Sequence, residues 1–362
     1  DSKPTQLGIS QPSASPLVSP TVEIPAVIAP VPAKFNRVLA GTIDNKHAIQ
    51  MELNRNAEYF YGRYFYEKNA ERKYLDLGGK IDGEGNVSLA EMDGDKETGY
   101  FTGKLINEIR GDESALKFTG NWSKTKNGAG MPVALAERQL DLGGLKLITK
   151  EQSEENKKQK LSIQTAFPQL AGSDARAEKF NKAISEMIAK DLKGFKDENK
   201  EVIQETAARA EEGLGSSMET RYSVMYADKN LISLLFSTYS FTGGAHGNTA
   251  TTPINYDLNR GEMLKLANLF QPNANYLKVI SAYCIAAIKK RNINEDQEWI
   301  QNGAGPKAEN YQSWSITPQG LVITFDAYQV AAYAVGPQEI VIPYSVLKPI
   351  LKPDSVLANF AK

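Results

Sequence analysis

Short stretches in which apolar and polar residues alternate fill residues 35–138 of the chain. HAIQMELNR, for example, places three apolar side chains on one face, as a half-buried strand requires. Turn residues separate about eight such stretches, enough antiparallel strands to close a barrel or fold into a sandwich. Glycines that suit the bends of a closing sheet lie within the stretches at Gly62, Gly79, Gly103 and Gly120.

One of these stretches, YFYGRYFY at residues 59–66, carries aromatic residues on both faces of the predicted strand. Exposed rings on a strand could stack against the faces of sugars. Tyrosine and phenylalanine are also good strand formers, so one set of rings could fill the core while the other set covers the sheet. Both interpretations remain open at this point.

The periodicity changes after Arg138, where strands and helices alternate. Two strands joined by a charged turn precede a helix that Ser173 or Asp174 can cap, with Phe180 and Ile184 on its apolar face. KEVIQETAARAEE predicts a second helix, and RYSVMYADKNLISLLFSTYSF predicts a hairpin through ADKN. ANYLKVISAYCIAAIKKR predicts a further helix, and two strand-like segments, SWSITPQGLVITFDAY and PQEIVIPYSVL, follow. This order indicates an α+β domain with helices packed on antiparallel sheet.

The composition divides the chain into three parts. Residues 1–34 hold seven of the 17 prolines and five serines but no aromatic residue, which favours an extended, disordered tether. A β-rich domain over 35–143 and an α+β domain over 144–362 follow, giving an α+β fold class overall. The numbering starts at Asp1 and not at a methionine, which suggests that a leader has been removed or that the sequence has been trimmed.

Charge and hydropathy exclude two classes of partner. Lys and Arg total 42 and Asp and Glu total 43, so no net field attracts nucleic acid or anionic lipid. The most apolar candidate for a membrane span, VEIPAVIAPVPA, is interrupted by three prolines. We therefore expect no nucleic-acid partner, and contact with a membrane only through an anchor outside the chain.

Candidate catalytic chemistry is sparse. Cys284 is the only cysteine, so no intrachain disulfide can form, and its apolar setting predicts a buried helix face. His47 and His246 are the only histidines, too few for the usual closely spaced metal ligands. The motifs GxSxG, HExxH, GxGxxG and GxxxxGK[ST] are absent. We predict no catalytic residues, no metal site and no cofactor.

Two acidic features leave alternatives open. Asp326 and Glu339 lie on successive predicted strands, and two facing carboxylates are all that glycosidase chemistry needs, although a solvated or salt-bridged pair is the simpler interpretation. DGDKETG, at residues 93–99, suggests calcium but lacks the ligand spacing of an EF-hand and suits a hairpin turn.

The segment FTGGAHGNTATT, residues 241–252, predicts a turn between two strands. Gly243 and Gly244 can adopt the positive φ values that such a turn requires, and Gly247 lets the chain leave it without a Cβ clash. His246 then either bonds to backbone groups of its own turn or contacts a partner. A catalytic role for His246 has no cysteine nearby to support it.

The segments YSFTGGAHGNTATTPINYDLNRGEMLKLANLF and FDAYQVAAYAVGPQEIVIPYSVLKPIL resemble the paired extracytoplasmic domains of the RsiV-like and PdaC-like family. The resemblance covers about residues 144–362 and excludes the β-rich domain. It implies a bacterial envelope protein in the periplasm or at the cell surface, held by a lipid anchor or a membrane anchor, that meets peptidoglycan or the enzymes that cut it. It does not imply catalysis, because a chain with only His47 and His246 lacks the closely spaced histidines of the metal-binding deacetylase domain.

From these observations we predict a non-enzymatic envelope protein that binds a lysozyme-type hydrolase or peptidoglycan. The alternatives are an envelope hydrolase that uses carboxylates of the C-terminal domain and a structural assembly protein of the envelope. The candidate binding residues are Gly243, Gly244, His246, Gly247, Asp326, Tyr328 and Tyr333. The two tyrosines are included because aromatic side chains bury a large area at small entropic cost.

Overall fold

The computed structural model describes residues 25–68, 74–94, 96–110, 113–126, 128–209 and 215–360. Most of the expected tether, residues 1–24, lies outside these ranges, and so does residue 95 within the DGDKETG turn. The described chain forms three sheets, of nine, six and three strands, with helices packed in the C-terminal part. The predicted α+β class is confirmed.

The first sheet contains the strands β1 Val27–Ala29, β2 Lys34–Ile43, β3 His47–Asn56, β4 Tyr59–Tyr66, β5 Leu75–Ile81, β6 Asn86–Asp93, β7 Lys96–Arg110, β8 Glu113–Ser123 and β9 Met131–Glu137. From β7 the order runs through β6, β5, β4, β3, β2 and β9 to β8, which pairs back with β7. Every pairing is antiparallel, so β2–β9 close an eight-stranded barrel, and the predicted all-antiparallel barrel-like domain is confirmed.

Strand pairing starts at Val27, before the expected domain start at residue 35. Strand β1 lies beside β7, and its Val27 and Ile28 side chains are exposed. Barrel side chains also bind the chain that follows β1, since Asn107 donates to the Pro30 carbonyl and Arg55 donates to the Val31 carbonyl. Main-chain pairing of this kind needs no apolar side chains, so composition alone did not predict it.

The aromatic strand β4 divides its rings between two faces. Phe60 and Tyr64 point into the barrel core, where Tyr64 packs edge-on against Phe101. On the outer face Phe65 is buried. The guanidinium of Arg221, from the C-terminal part, lies over the Tyr61 ring, with Cζ 4.2 Å from the ring centroid. One set of rings therefore fills the core, and on the outer face Tyr61 meets the second half of the protein.

The second sheet runs in chain order through β10 Lys146–Asn156, β11 Leu161–Ala171, β12 Ser216–Ala227, β13 Leu231–Phe241, β14 Asn248–Asp257 and β15 Glu262–Met263. The helices α1 Ala175–Glu198 and α2 Lys200–Arg209 connect β11 to β12, which is the one parallel pair in this sheet. Asp174 caps α1 by accepting from the Arg176 N–H, as expected, and Phe180 and Ile184 of α1 are buried.

The third sheet consists of β16 Trp314–Ile316, β17 Leu321–Phe325 and β18 Gln338–Ile342, all antiparallel. It packs with α3 Tyr276–Arg291, α4 Gln297–Ala304 and α5 Tyr344–Leu347 in one core that includes the buried Cys284. Short 3₁₀ helices lie at Leu266–Leu269, Ala308–Tyr311, Tyr333–Val335, Lys348–Ile350 and Val356–Asn359. Within the described ranges, no helix is both long enough and apolar enough to cross a membrane.

Polar side chains connect the barrel to the C-terminal part. The Asn36 amide donates to the Tyr222 carbonyl at 2.6 Å, and the Ser223 hydroxyl donates to Glu52 Oε2 at 3.0 Å. Arg63 of β4 also reaches Glu339 of β18, with Nη1 3.5 Å from Oε1. The outer face of β2–β4 is therefore an internal interface of the protein.

Candidate functional site

The turn between β13 and β14, residues 242–247, has the backbone that its glycines predicted. Gly243 and Gly244 have φ values of 109° and 96°, so the expected positive values are confirmed. A Cβ on Gly247 would lie 2.3 Å from the Tyr239 ring, which explains the absence of a side chain there. The Thr206 hydroxyl of α2 donates to the Thr242 carbonyl at 2.6 Å and holds the turn against that helix.

His246, at the end of this turn, stacks on Tyr333 from the segment between β17 and β18. The ring centroids are 4.9 Å apart and the planes are inclined by 24°. His246 Nδ1 donates to the Gly247 carbonyl at 2.8 Å, and the Tyr333 hydroxyl donates to the same carbonyl at 3.2 Å. With Nδ1 protonated for this bond, a neutral imidazole has Nε2 as its acceptor. His246 therefore bonds within its own turn and also joins a second motif.

Tyr328 extends the ring stack toward solvent. Its ring centroid is 5.4 Å from that of Tyr333, and 59% of the residue is exposed. Its φ of 70° is in the left-handed region, which is unusual for a side chain of this size. The Trp299 indole N–H donates to the Tyr328 carbonyl at 2.9 Å and supports that backbone. We call His246, Tyr328 and Tyr333 the aromatic surface.

Asp326 lies at the start of the segment that carries Tyr328. The Thr251 hydroxyl of β14 donates to its carboxylate at 2.7 Å. Its backbone N–H donates to the side-chain carbonyl of Gln329 at 3.2 Å, and its own carbonyl accepts from the Gln329 N–H at 3.0 Å. Asp326 therefore ties the aromatic segment to β14, the strand that His246 precedes.

The two carboxylates considered for glycosidase chemistry have different partners. Asp326 binds Thr251, whereas Glu339 faces Arg63 of the barrel and pairs in register with Thr324. Burial by itself disfavours the charged form of Arg63, but the Glu52 and Glu339 carboxylates hold its pKa well above the usual value. The geometry therefore makes Glu339 part of a charged junction between the barrel and the C-terminal part.

A cleft of about 1110 Å³ lies between the barrel and the C-terminal part, and the sequence did not predict it. Tyr61 and Arg63 of the barrel line one side, and Thr251 and Glu339 are among the residues on the other. We call it the interdomain cleft. It borders the aromatic surface, because residues 335–337, which lie two to four positions after Tyr333, also line it. The one signal of the cleft in the sequence was Arg63, a charged residue in the middle of the aromatic strand β4.

The remaining candidate chemistry is structural. Cys284 is fully buried, and burial raises the pKa of its thiol. Among the residues that the structure describes, no group of three or more histidine, cysteine, aspartate and glutamate side chains could hold a metal ion.

Comparison with known proteins gives matches in the C-terminal part. The family model described as "Deacetylase PdaC" matches residues 154–249, and the model described as "Protein of unknown function (DUF3298)" matches residues 267–345. The chain is 32% identical over 176 residues to the peptidoglycan-N-acetylmuramic acid deacetylase PdaC of Bacillus subtilis (strain 168). That alignment covers 48% of this chain and only 37% of the relative.

Two solved structures also match. A member of the DUF3298 family from Bacteroides fragilis has a TM-score of 0.48 at 17% identity, over 61% of this chain and 98% of that chain. A DUF3298 family protein from Pseudomonas aeruginosa PAO1 has a TM-score of 0.42 at 20% identity, over 58% of this chain and 94% of that chain. The two family models and the curated relative together support a PdaC-like family for the C-terminal part of this chain, in which residues 267–345 match the DUF3298 model.

Proposed function

We propose that this chain is a cell-envelope protein that binds peptidoglycan without cutting it. The observation that carries the proposal is the aromatic surface, in which the exposed ring of Tyr328 continues a stack of His246 on Tyr333. Rings that are already held in position lose little entropy when they bind a ligand. The choice of peptidoglycan is supported by the relative from Bacillus subtilis, whose name describes a deacetylase of peptidoglycan.

The candidate residues have different roles in this proposal. Tyr328 and Tyr333 supply contact area, and His246 supports Tyr333 and offers Nε2 as a hydrogen-bond acceptor. Asp326 holds the segment in position through Thr251. Gly243, Gly244 and Gly247 shape the turn that carries His246. None of them is assigned a catalytic role.

Calorimetric titration of the full chain with soluble peptidoglycan fragments tests the proposal. Tyr328→Ala and Tyr333→Ala should each weaken binding about tenfold, because each removes an aromatic contact worth on the order of 1 kcal/mol. Tyr59→Ala is the matched control, since Tyr59 is an exposed tyrosine on the barrel. Wild-type affinity in both surface variants would contradict the assignment of the site.

Two further arms of the experiment address the alternatives. If a lysozyme binds more tightly than the fragments and loses activity, the ligand is the hydrolase rather than the glycan. If the fragments are cleaved, and Asp326→Asn or Glu339→Gln abolishes that cleavage, the protein is a hydrolase. Copurification of an envelope protein without affinity for either ligand would favour a structural assembly role.

Location outside the cytoplasm belongs to the same proposal, because peptidoglycan lies there. We also propose the lipid anchor and periplasmic or cell-surface position expected for a protein with the proline- and serine-rich residues 1–34. Incorporation of labelled palmitate in the native host would support the anchor, and recovery of unlabelled protein from the wash fraction would contradict it.

A further inference from the structure

The interdomain cleft has a wall that neither matched family segment contains. Tyr61 and Arg63 of β4 line it from the barrel, which lies outside residues 154–249 and 267–345. The opposite wall comes from β12–β14 and from the β17–β18 region. The volume of about 1110 Å³ lies slightly above the range of typical small-molecule sites, which ends at about 1,000 Å³. The cleft therefore exists only where the two halves of the chain meet.

A chain of buried charges lies in the cleft wall. Arg63 Nε donates to Glu52 Oε2 at 2.9 Å, and its Nη1 lies 3.5 Å from Glu339 Oε1. The side chains of Glu52 and Glu339 are only 6% and 11% exposed. One guanidinium thus contacts two carboxylates, and the Ser223 hydroxyl also donates to Glu52 Oε2.

Two buried oxygens on neighbouring strands have no hydrogen-bond partner among the described residues. They are Glu339 Oε2 on β18 and Thr324 Oγ1 on β17, and the two residues are cross-strand neighbours in register. Thr324 is 2% exposed. Buried polar atoms in native proteins nearly always have a partner, either protein, water or ligand. Both residues line the cleft, so among the described residues these two oxygens are candidates for hydrogen bonds with a molecule that binds there and displaces the atoms covering them.

The other lining groups restrict the chemistry of that molecule. Four carboxylates and three guanidiniums line the cleft, so a strongly anionic ligand gains no net attraction. Neutral hydroxyl and amide side chains lie between them, at Asn36, Asn54, Ser237, Thr249 and Thr251. Tyr61 and Tyr74 add aromatic surface. Apolar rings with several neutral donors and acceptors suit a ligand that has many hydroxyl groups and no phosphate.

We infer that the interdomain cleft is a binding site for a neutral oligosaccharide, with hydroxyl or amide N–H groups that donate to Glu339 Oε2 and hydrogen-bond with Thr324 Oγ1. The inference rests on the proposed glycan-binding function for the class of ligand. It adds a second region of contact, in which the glycan continues from the aromatic surface past residues 335–337 into the cleft. The barrel then contributes directly to recognition through Tyr61 and Arg63.

Calorimetry with a neutral tetramer of β-1,4-linked N-acetylglucosamine tests the inference on the full chain. Thr324→Val removes one hydroxyl at nearly constant shape, and Glu339→Gln removes one charged acceptor. Each should weaken binding about tenfold, as expected for the loss of a hydrogen bond that includes a buried acceptor. Thr165→Val is the matched control, because Thr165 also has a buried hydroxyl without a hydrogen-bond partner in the described part of the chain and lies outside the cleft lining.

The results separate this inference from the proposed function. Weaker binding in Thr324→Val and Glu339→Gln, with Thr165→Val unchanged, supports the cleft site. If Tyr333→Ala weakens binding while both cleft variants bind like wild type, the proposed function stands and the cleft inference is wrong. If wild type binds neither the tetramer nor peptidoglycan fragments, both are wrong.

Amide hydrogen exchange tests the same inference on the wild-type protein alone, so its result does not depend on whether the variants fold. The tetramer should slow amide exchange in β4 and in residues 335–342, which lie on opposite sides of the cleft. Protection confined to residues 243–247 and 326–333 would overturn the cleft inference, because it would restrict the ligand to the aromatic surface.

Discussion

At the scale of single residues, a buried carboxylate organises the interior of the barrel. Glu91 is 3% exposed and accepts from the Tyr64 hydroxyl at 2.6 Å, the Thr98 hydroxyl at 2.6 Å and the Trp122 indole N–H at 2.7 Å. Burial and the bond to Glu91 raise the pKa of Tyr64. Three donors from three strands thus depend on one acceptor, and the bond from Tyr64 is fully buried.

Replacing Glu91 with leucine should therefore be strongly destabilising. Glu91→Leu leaves one buried and two partly buried donors without their acceptor, and we expect it to lower the free energy of unfolding by about 3 kcal/mol. Glu91→Gln keeps one carbonyl acceptor and should cost less. Urea denaturation followed by tryptophan fluorescence measures both, with Glu84→Gln in an exposed turn as the control. Equal stability of Glu91→Leu and wild type would contradict the role of this network.

Asp174 at the start of α1 predicts a pH dependence. Hydrogen bonds from the Arg176 side chain and N–H hold the pKa of Asp174 below its ordinary value of 3.8. A carboxylate with a lowered pKa in the folded state stabilises the protein fully above its unfolded value, and this contribution is lost as the pH falls through the folded value.

The melting temperature of Asp174→Ala should therefore lie furthest below that of wild type near neutral pH. The difference should shrink as the pH falls from about 5 to about 2, where wild type loses the same carboxylate interaction. Asp174→Asn keeps a capping oxygen and should stay closer to wild type. Thermal unfolding across this range measures the effect, and a difference that is independent of pH would contradict it.

At the scale of elements, the barrel closes where two glycines face each other. Gly103 of β7 and Gly120 of β8 are paired in register. A Cβ on Gly103 would lie 2.3 Å from the Thr119 carbonyl oxygen and 2.6 Å from the Gly120 Cα. Both are backbone atoms, so no side chain can move away to make room. These strands approach so closely only because neither residue has a side chain.

Gly103→Ala should lower the free energy of unfolding by about 2 kcal/mol, as expected for overpacking against backbone. Gly78→Ala is the control, because no heavy atom lies within 4 Å of a Cβ at that position in β5. We expect this control to remain within about 0.5 kcal/mol of wild type. Equal effects of the two substitutions in chemical denaturation would show that the close approach does not matter.

At the scale of the whole molecule, Arg63 joins the barrel to the C-terminal part. It pairs with Glu52 within the barrel and with Glu339 across the interface, and its guanidinium lies 3.9 Å from the centroid of the Tyr74 ring. Removal of one member of a buried charge network leaves the others uncompensated. The coupling between the two halves should therefore depend on this residue.

Arg63→Met should destabilise the protein by about 3 to 5 kcal/mol, because two buried carboxylates lose their cation. Scanning calorimetry should also separate the unfolding of the barrel from that of the C-terminal part. The added substitutions Glu52→Gln and Glu339→Gln remove the uncompensated charges and should recover much of the loss. A triple variant no more stable than Arg63→Met would show that the charges are not the cause.

Much of the fold follows from the sequence by itself, because its causes are local. Alternating apolar residues predicted the barrel strands, and Asp174 predicted the start of α1, since strand faces and helix caps depend on neighbouring residues. The positive φ values of Gly243 and Gly244 follow from the same kind of local chemistry. The resemblance in residues 239–270 and 325–351 likewise pointed to the PdaC-like family of the C-terminal part.

Only the tertiary structure decided how distant residues combine. It stacked His246 on Tyr333 and directed Glu339 toward Arg63 of the barrel instead of joining it with Asp326 in one site. It also brought the C-terminal part against Tyr61 and Arg63 on the outer face of β4 and left the interdomain cleft between them. Such contacts leave no periodic pattern in the sequence, because they arise when two separately patterned halves pack against each other.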